Sequence, residues 1–99
     1  MSAHRSLGVP PGGAARLYIL PPHGNIVLLA ATADDASPAA LYRPGHLSVL
    51  VVHDKGDTWP DAAGIALSNA VLAEGGTVAL KFDTLGDALA CRRRLEGGR

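Results

Sequence analysis

Two stretches of this chain, residues 25–31 (NIVLLAA) and 47–52 (LSVLVV), are apolar almost without interruption. A strand with one face in water alternates apolar and polar residues, whereas a continuous apolar run belongs to a strand covered on both faces. A third segment, residues 77–82 (TVALKF), also reads as a strand. Only two segments carry strong helical signals, so the strands ask for more cover than the helices can supply. This mismatch limits the fold to a small sheet whose remaining apolar surface is covered by a second copy or another partner.

Punctuation along the chain fixes the order of elements. Residues 1–13 end in Pro10-Pro11-Gly12-Gly13 and read as a flexible arm. A strand over 16–20 (RLYIL) is broken by Pro21-Pro22-His23-Gly24 and followed at once by the run from Asn25, which predicts an antiparallel hairpin. Residues 32–46 form a long connection punctuated by Pro38, Pro44 and Gly45, with one helical turn or a short edge strand near Ala39. Connections of this length are uncommon in small domains, so this one either carries function or crosses the sheet. After the 47–52 strand, Thr58 is the expected cap of a helix over 60–74, with Pro60 in its first turn and Gly75-Gly76 as its stop. Thr84 is placed to cap a last helix over 85–95. A strand, helix and strand in succession imply a parallel pair. The expectation is an α+β domain over 14–99, with a mixed four-stranded sheet (an N-terminal antiparallel hairpin plus β-α-β-α) and two helices.

Ninety-nine residues suffice for one domain and one core. Formal net charge is zero, which removes electrostatic resistance to self-association and disfavours a dedicated nucleic-acid binder. Arg outnumbers Lys and Ala and Gly abound, the usage of a high-GC bacterial or phage genome. The single cysteine, Cys91, forbids an intrachain disulfide and any zinc site built from several cysteines. With no apolar leader at its start and no apolar run long enough to span a bilayer, the chain reads as cytoplasmic.

Chemistry-bearing residues are few. The 60–74 helix is apolar around most of its circumference. Ala62, Ile65, Ala66, Leu72 and Ala73 form one face, extended sideways by Ala63, Leu67, Ala70 and Val71. Leu67, Ala70 and Val71, with Trp59 as a rim anchor, are therefore the candidate interface. His53, Asp54, Lys55 and Asp57 lie between a strand end and a helix start, where anions and small ligands bind in parallel α/β units. Arg92, Arg93, Arg94 and Arg99 are the one basic cluster, and they offer an anion or RNA contact. Consecutive helical positions point in different directions, so they form no single-sided patch. The four histidines do not make a shared metal site by spacing.

Residues 76–97 resemble the third strand and second helix of an RNA-recognition motif, through Gly76, Phe82, Asp87, Ala88, Leu95 and Gly97. Thr77 and Ala79 stand where that family's base-stacking aromatics would be, so the resemblance implies no RNA site here. The sequence thus reads as a non-catalytic protein-interaction module, a dimer, adaptor, regulator or inhibitor, with no cofactor. A ligand-binding domain or enzyme using loop 53–57, and a nucleic-acid binder using the arginines, are the alternatives.

Overall fold

The computed structural model describes residues 6–97. Its element order is β1 (Ala14–Leu20), β2 (Gly24–Ala30), α1 (Pro38–Leu41), β3 (Ser48–Val52), α2 (Ala62–Ala73), β4 (Thr77–Phe82) and α3 (Leu85–Gly97). The strands form a mixed sheet in the order β1-β2-β4-β3. The hairpin pairs antiparallel, with Tyr18 opposite Ile26, and β2 pairs antiparallel with β4. Strand β3 lies parallel to β4, with Leu50 opposite Ala79. The expected α+β class and hairpin are present, and the short helix α1 takes the helical-turn option of the two expected near Ala39, beside the two longer helices.

Helices α2 and α3 share one face of the sheet. Val71 and Leu72 of α2 join Ala88 and Cys91 of α3 in a single cluster over Val27, Leu29, Val78, Leu80 and Phe82. Complete burial of Leu, Ile, Val or Phe is worth about 1.5–3 kcal/mol per side chain, so this cluster dominates the fold's stability. Residues 6–13, expected within a loose arm, lie against this layer. Leu7 and Val9 pack on the cluster, and Asn69 of α2 accepts from Gly8 N–H while donating to Ser6 O at 3.0 Å.

The cap of α2 differs from expectation. Asp61, not Thr58, is the N-cap, and its carboxylate accepts the Gly64 N–H at 2.8 Å. Asp accepts there as readily as Thr, and Pro60 is buried just outside the helix. The stop falls at the expected glycines. Gly76 N–H donates to Val71 O and Gly75 N–H to Leu72 O, at 2.9 and 3.1 Å, with Gly75 at φ +80°. A side chain at Gly76 would collide with Val71 and the Leu47 carbonyl, so both glycines are required by this closure.

The buried side of α2 also differs. Gly64, Ile65, Ser68, Val71 and Leu72 face inward, while Ala62, Ala63, Ala66, Leu67, Ala70 and Ala73 are exposed. Gly64 decides the rotation, because a Cβ there would come within 3.2 Å of Val51 Cγ1 and of Pro60 Cβ. Only the glycine side can approach the sheet so closely. Val71, expected beside Leu67 and Ala70 at an interface, is therefore a core residue.

Candidate interaction surface

The 32–46 connection crosses the other face of the sheet. It leaves β2, passes the start of β4 and enters β3. Ala36 and Ala40 are fully buried, and Leu41 packs on Ile26, Leu28 and Ala79. A polar network pins it. Thr77 Oγ1 donates to Asp35 O at 2.7 Å, so its own oxygen accepts from His46 Nε2–H at 2.8 Å. Arg43 closes the loop on Asp35 at 2.8 Å. The hydrogen bond from Arg43 holds the Asp35 carboxyl below its ordinary range, with the guanidinium charge and His46 adding to the effect.

This cover stops short of β3. Leu50 is 44% exposed, Val52 64%, Leu47 47% and Tyr42 73%. A cleft of about 190 Å³ opens between Tyr42, Leu41, Leu20 and Leu50. The strand beside it is the edge of the sheet. Leu47 O accepts from Thr77 N and His53 N donates to Lys81 O, so the odd-numbered residues of β3 use their backbone groups on β4. Ser48, Leu50 and Val52 then direct N–H and C=O outward. Protective devices on edges are charges, prolines and bulges. β1 at the opposite edge carries Arg16 and runs into Pro21-Pro22, while residues 47–52 hold neither charge nor proline.

The other expected sites do not assemble. His53 turns inward, 7% exposed, with its ring stacked on Phe82 at 4.2 Å. Its Nδ1 lies 3.0 Å from Lys81 O and donates to that carbonyl, while buried Nε2 has no hydrogen-bond partner among the described residues. Asp54, Lys55 and Asp57 are exposed, and the loop is tied instead to α3 by Gly56 N–H donating to Asp87 at 3.2 Å. Among the described residues, no group of three His, Cys, Asp or Glu is placed to hold a metal ion. His46 and His53 sit at opposite ends of β4, on Thr77 and Lys81 respectively.

The arginines diverge. Arg92 pairs with Glu96 at 3.3 Å, Arg93 is exposed, and the Arg94 guanidinium lies 3.9 Å from the Trp59 ring centroid. Arg99 lies outside the described residues. Trp59 is half-buried, packed on the core edge beneath that cation. Cys91 is fully buried, and burial pushes its thiol up to about 12, which suits a packing residue and not a nucleophile.

Sequence reasoning named β3 as a strand but missed that its outer edge and back face are the uncovered ones. The signal was the charge-free run itself, next to a connection too short in apolar residues to cover it. No family model, curated protein or solved structure matches this chain. Among the described residues, no helix is long and apolar enough to cross a membrane.

Proposed function

We propose that this chain is a non-catalytic protein-interaction module that offers the free edge of β3 to another polypeptide strand. The observation carrying this reading is the coincidence of outward backbone groups at Ser48, Leu50 and Val52 with the exposed apolar side chains of Leu50 and Val52. Strand addition draws affinity from backbone hydrogen bonds and specificity from alternate side chains, and this edge supplies both. The unpaired, buried thiol suits a reducing compartment, and we place the module in the cytoplasm.

The test compares immobilised wild-type protein with a Leu50→Lys/Val52→Lys variant. Both side chains are solvent-facing, so circular dichroism should be unchanged. Polypeptides retained from a lysate of the source cells should fall about tenfold or more, since losing a central contact costs at least about 1.4 kcal/mol. Equal retention by the two proteins, with the wild type also monomeric, would refute the reading.

A further inference from the structure

We infer that the strand received by β3 is β3 of a second copy of this chain, antiparallel, about a two-fold axis through Leu50. The inference deepens the edge reading above and rests on it. Symmetry restricts the pairing. A two-fold axis that sets two copies of one edge strand antiparallel must stand perpendicular to the sheet, so both helix layers fall on one side. Residues facing each other then share parity. Centred on Leu50, the register puts Leu50 opposite Leu50 and Ser48 opposite Val52, all of them residues with free outward backbone groups. Each such pair exchanges two hydrogen bonds, and the result is a continuous eight-stranded sheet. Two residues past each end of the strand, the same register brings Asp54 of one copy towards His46 of the other.

The helix layer supports the same axis independently. Helix α2 rests on β3 and β4 alike, placing it over the gap between them. With strands about 4.8 Å apart, α2 stands about one strand spacing from the axis and its copy about 10 Å away, the separation of packed helices. The flank turned that way is settled by Asn69, which bonds the arm whose Leu7 and Val9 lie beside β1 and α3. Leu67 lies about 160° around the helix from Asn69, on the flank above the free edge. That flank carries Ala63, Leu67 and Ala70, all exposed and uncharged. Gly64 stands against Val51, and three residues of helix rise about 4.5 Å against about 3.3 Å for one of strand, so Leu67 sits within about 2 Å of the level of Leu50. Leu67 would meet its symmetry mate on one sheet face while Leu50 meets its own on the edge. One axis therefore covers two exposed apolar features that none of the described residues covers.

Light scattering on the full chain across a dilution series should give 20.2 kDa, twice the 10.1 kDa monomer. Leu67→Lys should move the dissociation midpoint at least tenfold higher in concentration. Mild oxidation should cross-link Leu50→Cys, whose Cα atoms sit about 5.5 Å apart in the pair, within disulfide reach. Val52→Cys, about 14 Å from its mate, should stay uncross-linked. Native Cys91 is buried and leaves the wild type as the uncross-linked control. A 10.1 kDa mass at every concentration, or Val52→Cys cross-linking as readily as Leu50→Cys, overturns self-pairing about Leu50. If a monomer still loses a captured protein on Leu50→Lys/Val52→Lys substitution, self-pairing falls and the edge reading stands. A monomer that captures nothing overturns both.

Discussion

Replacing Ser68 by alanine should make this protein more stable. Ser68 lies on the sheet-facing side of α2, fully buried, and its hydroxyl has no hydrogen-bond partner among the described residues. A buried hydroxyl left unpaired costs about 1–3 kcal/mol, and Ser→Ala adds up to about 0.5 kcal/mol of helix propensity. Against this stands the lost volume of one oxygen, at about 24 cal/mol per Å³ only a few tenths of a kcal/mol. The net gain is about 1.5 kcal/mol, which for a domain of this size raises the melting temperature by about 6–12 °C. Urea denaturation followed by circular dichroism, at matched protein concentration, should show a higher midpoint with an unchanged slope. Because Ser68 faces the core, oligomeric state should not change. An unchanged or lowered midpoint would mean that the hydroxyl is bonded, and the inward rotation assigned to α2 would be wrong.

Thr77→Val keeps the shape but strips both bonds that anchor the 32–46 connection, leaving Asp35 O and His46 Nε2 unpaired; unfolding free energy should fall by about 1–3 kcal/mol in the same urea assay. For Asp35, ionisation is easier in the folded state than in the unfolded one, where a carboxyl titrates near about 3.9. Its contribution to stability is therefore present above about pH 4 and lost as pH falls through the lower folded value. Arg43→Ala should move the Asp35 carboxyl titration, read by carbon NMR, upward; an unmoved titration would remove Arg43 as the cause.

Much of the backbone was legible because local signals agreed. Apolar runs bounded by Pro-Pro-His-Gly and Gly-Gly marked the strands, and Thr84, which accepts the Asp87 N–H at 3.1 Å, capped α3 as read. The face of α2 was not legible. With alanine on nearly every side, no hydrophobic period distinguishes inside from outside, and the choice falls to the fit of Gly64 against Val51. The cap was ambiguous because Thr58 and Asp61 both precede plausible first turns, and the buried position of Pro60 is a tertiary fact. His53 misled for a similar reason. Beside Asp54, Lys55 and Asp57 it reads as a solvated loop, yet its N–H extends the β3–β4 ladder by one residue and its ring is held by Phe82. The insertion of β4 between β2 and β3 depends on long-range pairing that no local pattern encodes.

That insertion has a consequence for how the chain must be made. Strands β2 and β3 flank β4 without touching each other, and β4 arrives second to last in the chain. A nascent chain emerging from its N-terminus can close the β1–β2 hairpin early, but β3 has no neighbour until residue 82 has been translated and released. During that interval its apolar run has two open edges instead of one, and its most accessible neighbour on a polysome is the same run on an adjacent nascent chain. Slow translation or premature termination ahead of residue 77 should therefore yield aggregates, while a stop after α3 should yield soluble protein.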